Sequence, residues 1–284
     1  MNMTSQTVSG RAWLPEQIGD VLIKPLSEDS VALAAAGFVM ATERTAGYRV
    51  PVVNADPSAS WVAEGAEITT SEAELKEASD VFHKLAGLVP MSSELANDSS
   101  PDAAELVGLG LARDIARQLD KAFFGARGAS TVPPQGLSDL TGTGLVNAST
   151  KWSNVDPFTE AIYNAEQEGA TLSAFVANPA DALALAKLKD QAGSERPLLG
   201  TDPSMPTRRL LSGVPLLASP AVTKGTVWGI PADRRVVIAI RQDVTIERDA
   251  SVYFSSDQIA LRAIMRVAFL YPHEKAIQKI TVSA

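Results

Sequence analysis

YRVPVVNADPSASWVAEGAEITTSEAELKEASDVFHKLAGLVPMSSELANDSSPDAAELVGLGLARDIARQLDKAFFGARGASTVPPQ, residues 48–135, is an extended, apolar-alternating segment that feeds a long amphipathic helix. Tyr48, Val50 and Val52 alternate as a half-buried strand does, and Asn54-Ala-Asp-Pro-Ser supplies turn chemistry. Trp61, Ala63 and Gly65 then lead to a tip rich in Glu and Thr. A hairpin of this length with an acidic tip has little core of its own, so it should project and gain stability on a neighbour, with Trp61 as its largest anchor. The competing reading makes Trp61 a local core filler. Further on, Ser100-Pro101-Asp102 is a helix start: Ser as cap, Pro at the first position, and Asp102 and Glu105 at the positive end of the dipole. The helix should cover 101–124 and stop at Gly125, roughly 36 Å at 1.5 Å per residue. Val107, Leu111, Ile115, Leu119 and Phe123 form its apolar stripe, while Arg113, Asp114, Arg117, Asp120 and Lys121 fall elsewhere.

Upstream, Met1 to Glu28 has scattered apolar residues, Trp13, Leu14, Ile18, Val21, Leu22 and Ile23, broken by Pro15, Gly19 and Pro25. This fits an extended arm that needs a partner surface; an edge strand of the chain's own core is the alternative. Downstream, a turn-rich stretch from Gly128 to Ser149 opens an α/β rhythm: a helix over Pro157–Glu168, a buried strand over Leu172–Ala177, and a helix over Pro179–Asp190 capped by Asn178. Gln191 to Arg209 lacks periodicity and contains three prolines, the mark of a functional or mobile loop. Strands are expected after Gly213 and over Thr226–Ile230. Arg235 to Ser283 reads as mostly strand, with Glu247-Arg248-Asp249 as a charged turn.

The composition narrows the function classes. A chain of 284 residues, 45% apolar, is long enough for one large or two ordinary domains. The longest apolar run, Val31 to Ala41, is too short to span a bilayer, and no basic region followed by an apolar core opens the chain at Met1, so neither secretion nor membrane insertion is expected. Cysteine is absent, which excludes disulfides and thiolate metal sites, and His83 and His273 are the only imidazoles. A net charge of −8 argues against binding nucleic acid by neutralising its phosphates. A net charge does not say which face of the protein holds the acids.

The wording and order of YRVPV, WVAEGAEI and KLAGLVPMSSELANDS, with FVANPADALALAKLKD far downstream at 175–190, resemble the major capsid proteins of tailed bacteriophages. Apart from parts of the arm and the Gly128–Ser149 stretch, the resemblance covers the whole chain. It implies an α+β protein of the Hong Kong 97 type fold. Residues 1–41 would form the N-terminal arm and adjoining segment, and 42–80 the extended E-loop. Residues 81–130 would form the peripheral P-domain with spine helix 101–124, 131–232 an inserted A-domain, and 233–284 the closing strands of the P-domain. The loop after the Leu-Lys-Asp of 188–190 would approach the axis of a pentamer or hexamer. The implied contact set is the arm around Trp13 and Ile18, the loop around Trp61, Glu64 and Glu67, and Glu247, Arg248 and Asp249, which align with the family's P-loop. Residue by residue, the charged members are equally readable as solvated side chains worth under about 1 kcal/mol.

The resemblance further implies a homo-oligomer of pentamers and hexamers, an icosahedral shell around double-stranded DNA, a place in the virion and assembly in the host cytoplasm. Scaffolding, portal and decoration proteins are its possible partners; no cofactor, metal or catalytic residue is expected. Because arm-like sequence starts almost at Met1, either a separate scaffolding protein serves the shell or none does. Some members cross-link subunits by an isopeptide bond between a loop Lys and an Asn, with Glu as base. Here no Lys lies between Val50 and Leu75, Asp257 aligns with the Asn and Ile264 with the Glu, so a non-covalent shell is expected. An encapsulin-like nanocompartment shares the fold and is the alternative. An α/β enzyme built on the Leu172–Ala177 strand is a more distant one, since no GxxxxGK[ST], HExxH, CxxC or GxSxG is present. Gly108-Leu-Gly110 reads as close helix packing, and His273-Glu274 as a solvent-facing polar pair at a strand bend.

Overall fold

The computed structural model describes residues 30–36, 38–41, 46–55, 59–62, 65, 67, 70, 74–98, 103–191, 194, 196–201 and 209–282. Trp13, Ile18, Glu64 and the cap Ser100-Pro101-Asp102 lie outside the described residues. The helix that this cap was expected to open, α3, runs over Ala103–Phe124 and ends with Gly125 N donating to Lys121 O at 3.0 Å. Two shorter helices precede it, α1 over Val31–Ala35 and α2 over Ser93–Asp98.

One face of α3 lies on a four-stranded sheet of order β1-β11-β12-β4, made of Phe38–Ala41, Val237–Asp249, Gln258–Leu270 and His83–Ser92. β1 runs parallel to β11, and the other pairs are antiparallel. Ile115, Leu119 and Phe123, from the predicted stripe, are buried against Ile238, Val244, Met265, Val267 and Phe269. The Phe123 ring meets Phe124 and Phe269 edge-on at 5.0 and 5.2 Å. At Gly108 a methyl group would sit 3.4 Å from Ile246 Cδ1, an ordinary van der Waals contact, and Gly110 faces open space, so neither glycine is required by close helix packing within the chain.

A seven-stranded sheet of order β5-β13-β10-β6-β9-β8-β7 lies beside the first. Its strands are Gly144–Ala148, Gln278–Val282, Thr226–Pro231, Leu172–Ala177, Val214–Ala218, Arg209–Leu211 and Gly200–Thr201. β6 explains why LSAFVA is apolar at five of its six positions. Ala174 and Val176 face the core shared with α3, while Phe175 and Ala177 face a second core with Phe158 and Leu185. Those two residues come from helices α4, Asp156–Gln167, and α5, Pro179–Ala186. A strand covered on both faces is dominated by apolar side chains, and its one polar residue, Ser173, is satisfied by sharing its hydroxyl between Ala35 O at 3.0 Å and Ile230 O at 2.9 Å.

Two expectations about elements are corrected. Helix α5, which follows β6, ends at Ala186 and not at Asp190, because Leu188 and Asp190 turn back to pair with residues further on: Leu198 N donates to Leu188 O at 2.8 Å and Asp190 N to Arg196 O at 3.3 Å. The long closing run from Ala260 to Val282 is not one strand either. β12 stops at Leu270, and Pro272 with a 3₁₀ turn over Glu274–Ala276 redirects the chain. β13 then enters the seven-stranded sheet between β5 and β10. The Gln278 side chain lies against Gly144, where a Cβ would fall 2.3 Å from Gln278 Oε1 and that side chain would have to shift.

Asp120, read as a surface residue of the helix, is 6% exposed. Its carboxylate accepts from Ser30 Oγ at 2.7 Å, Ala32 N at 3.0 Å, Val31 N at 3.1 Å and Ser219 Oγ at 3.3 Å. It thus satisfies the open N–H groups at the start of α1 and ties that helix and the end of β9 to α3. Burial raises its pKa above the ordinary carboxylate value against the pull of these donors.

Candidate subunit interfaces

The Tyr48 stretch forms a two-stranded ribbon, β2 over Gly47–Ala55 and β3 over Glu74–Val81. Among the described residues, it is the base that the body holds. Tyr48, Val50 and Ala78 pack on Phe82, Val237, Ala239, Ala268 and Leu270, on the face of the four-stranded sheet opposite α3. Asp80 fixes this junction by accepting from Phe269 N at 3.2 Å and lying 3.4 Å from His83 Nε2, while His83 Nδ1 donates to Val132 O at 2.6 Å. Farther out, every residue between the strands whose exposure is described, 59–62, 65, 67 and 70, is exposed. Trp61 is wholly exposed, which removes the core-filling reading, and Glu67 stands in solvent beside it in sequence.

Glu247, Arg248 and Asp249 are not in a turn. They are the last residues of β11, paired with Arg262, Leu261 and Ala260. The cause is cross-strand chemistry: Glu247 forms an ion pair with Arg262, which keeps the ladder going to Asp249. Asp249 then accepts from Ser251 Oγ at 2.6 Å and Ser251 N at 2.7 Å, and these bonds, with Arg262 nearby, hold its carboxyl below the usual range. The turn proper follows, closing through Asp257 in the left-handed region at φ 50° and anchored to α2 by Ser93 N donating to Asp257 O at 3.1 Å.

At its tip stand two residues that the sequence reading missed, Val252, 65% exposed, and Phe254, 86% exposed. Their signal was available: an apolar Val-Tyr-Phe run set between serines in a segment too polar to be core. Leu95 of α2 and Leu106 of α3, each 54% exposed, are further apolar residues presented to solvent. An isolated chain gains nothing by exposing an aromatic at the end of a rigid hairpin, whereas a chain with a partner there does.

His273 and Glu274 are half-buried at the edge of a cleft and hydrogen-bonded there. Arg235 Nη1 donates to His273 Nδ1 at 2.5 Å, His273 Nε2 points to Glu168 Oε2 at 3.4 Å, and Gly142 N donates to Glu274 Oε2 at 3.1 Å. These groups line a cleft of about 860 Å³ between β2 and the seven-stranded sheet, where they brace the chain after β12. Among the described residues no three His, Asp or Glu side chains gather as a metal site, and no helix is long and apolar enough to cross a membrane.

The model of the phage capsid family matches residues 10–282. The chain belongs to the phage capsid family. Its fold is that of solved capsid structures. The capsid of an empty GTA particle superposes with a TM-score of 0.73 at 21% identity, covering 90% of each chain. The capsid of a native GTA particle gives 0.71 at 22% identity, covering 100% of this chain and 95% of that one. A structure from Mycobacterium phage Adephagia gives 0.69 at 18% identity over 90% of each. No curated protein sequence matches. The protein is thus a capsid shell protein of the Hong Kong 97 type fold, a structural component of the virion and not an enzyme.

Proposed function

We propose that this capsid protein assembles through pentamers and hexamers into an icosahedral shell that encloses double-stranded DNA, built in the host cytoplasm and held without covalent links. One observation carries the reading: a ribbon whose described contacts with the body lie at its base exposes a whole tryptophan at residue 61. Burying an indole is worth several kcal/mol, and only a neighbouring subunit can supply the surface. Weak contacts of this kind become strong collectively in a closed symmetric assembly.

In this reading α3 and the four-stranded sheet form the peripheral domain, the seven-stranded sheet forms the axial one, and the β2–β3 ribbon is the E-loop. Trp61, Glu64 and Glu67 reach one neighbour, Trp13 and Ile18 of the arm reach another, and the β11–β12 tip meets a subunit of a different capsomer. At that tip Val252 and Phe254 make the contact, with Glu247, Arg248 and Asp249 as its rim. A non-covalent shell is favoured by the loop's lack of Lys between Val50 and Leu75, by Asp257 in place of an amide, and by Ile264, whose aliphatic side chain cannot act as a base. Separate scaffolding, portal and decoration proteins remain its candidate partners.

Negative-stain electron microscopy with light scattering, on the protein expressed alone and on whole particles, tests the reading. Closed shells or free pentamers and hexamers are expected. A monodisperse monomer or dimer under every condition, absent from any particle, overturns it, and particles filled with protein cargo in place of DNA would reassign it to a nanocompartment.

A further inference from the structure

The chain carries 33 acids against 25 Lys and Arg, yet one groove reverses that balance. It runs along the flank of α3, has a volume of about 570 Å³, and is bounded on its other side by Ala218, Ser219, Pro220 and Ala221. Its charged lining is Arg113, Arg117, Lys121 and Asp120. Asp120 is sunk in the floor and engaged by four donors, whereas the three cations are exposed. Among the described residues none of the three forms an ion pair with a carboxylate. A neighbouring groove of about 480 Å³ shares Lys121 and Ala221 and adds the exposed Lys84.

The spacing of these cations is regular. Four residues of helix advance about 6 Å, so Arg113, Arg117 and Lys121 make a row of one positive charge per turn over about 12 Å. The nearest exposed acid in sequence, Asp114, lies on the next row of the helix. Arg forks bind phosphate oxygens in pairs, and a row of them suits a repeating polyanion. The opposite wall of the Arg-lined groove is Ala, Ser and Pro, with no pocket for the large apolar anchor on which a protein partner would depend.

We infer that the α3 flank is the lumenal wall of the shell and that Arg113, Arg117 and Lys121 touch the phosphates of packaged double-stranded DNA. This rests on the reading that the shell encloses DNA. The bulk of the subunit's negative charge then repels the duplex, while one short row per subunit holds it without regard to sequence.

Two measurements test it. The first is formaldehyde cross-linking of DNA-filled and emptied particles, followed by peptide mass spectrometry, which needs no variant. Nucleotide adducts on Lys121 in filled particles alone are expected. Filled particles whose adducts fall only on other lysines overturn the inference and leave the capsid reading standing; particles that never contain DNA overturn that reading itself. Carbodiimide links from Lys121 to a co-purifying acidic protein would give the groove to a protein partner and also overturn the inference. In the second, unassembled capsomers of wild type and the triple variant R113Q/R117Q/K121Q bind a short DNA duplex over a range of salt. The slope of log K against log salt should fall in magnitude by about 2.7 in the variant, from about 0.9 per phosphate contact. An equal slope in both proteins sinks the proposal.

Discussion

Asp120 shows how one side chain can hold three elements together. With Asp120→Ala, Val31 N and Ala32 N at the start of α1 lose their acceptor inside the protein, as do the hydroxyls of Ser30 and Ser219. Buried donors left unmet cost about 1–3 kcal/mol each, so the variant should lose about 3 kcal/mol in urea unfolding of the unassembled subunit. Asp114→Ala, on the exposed row, should stay within about 0.5 kcal/mol of wild type. Equal losses for the two would deny Asp120 its anchoring role. The pH dependence has a definite sign. The folded pKa lies above the unfolded one, so in the interval between them the folded chain holds a proton that the unfolded chain has released. Lowering the pH through that interval should therefore widen the wild-type advantage over Asp120→Ala, as parallel urea titrations would show. The sequence displayed an Asp among four other polar residues of the helix and gave no sign of its burial, because its partners lie about ninety residues before it and ninety-nine after it.

Among the elements, the two hairpins differ in what supports them, and their variants should differ accordingly. Beyond its base the β2–β3 ribbon has no described support, and Trp61 contributes nothing to the core of its own subunit. Trp61→Ala should leave urea stability within about 0.5 kcal/mol of wild type and yet abolish or weaken shells in sedimentation. Particles of normal yield and unchanged thermal stability would show that the indole makes no contact. The β11–β12 hairpin is rigid to its tip, locked by Glu247–Arg262 and by Ser93 on Asp257. Phe254→Ser should therefore keep capsomers intact while impairing their joining, seen as pentamers and hexamers that accumulate at the expense of closed shells. Closed shells in normal proportion would remove Phe254 from the contact. Alternation made the first hairpin legible in the sequence. The second was misjudged at Glu247 because a charged triplet reads as a turn until its cross-strand partner, fifteen residues on, is known.

For the whole molecule, a non-covalent shell should dissolve in boiling detergent to a single band near 29.9 kDa on a denaturing gel of assembled particles. A ladder of linked species would show that a cross-link forms by residues other than those at the aligned positions. The sequence by itself determined most of the elements: the ribbon from alternation, α3 from its four-residue stripe, β6 from its largely apolar run, and the cap of α5 from Asn178, whose side chain accepts from Ala180 N. These depend on neighbours within a turn or a strand, and local pattern records them. Only the tertiary structure decided that Asp120 is buried, that Gln278–Val282 crosses to the seven-stranded sheet, and that Val252 and Phe254 stand at a tip. It also decided that three cations of one helix share a groove with the turn at Ser219. Each of these depends on groups distant in the chain brought together by packing, and no local pattern encodes which surfaces will meet.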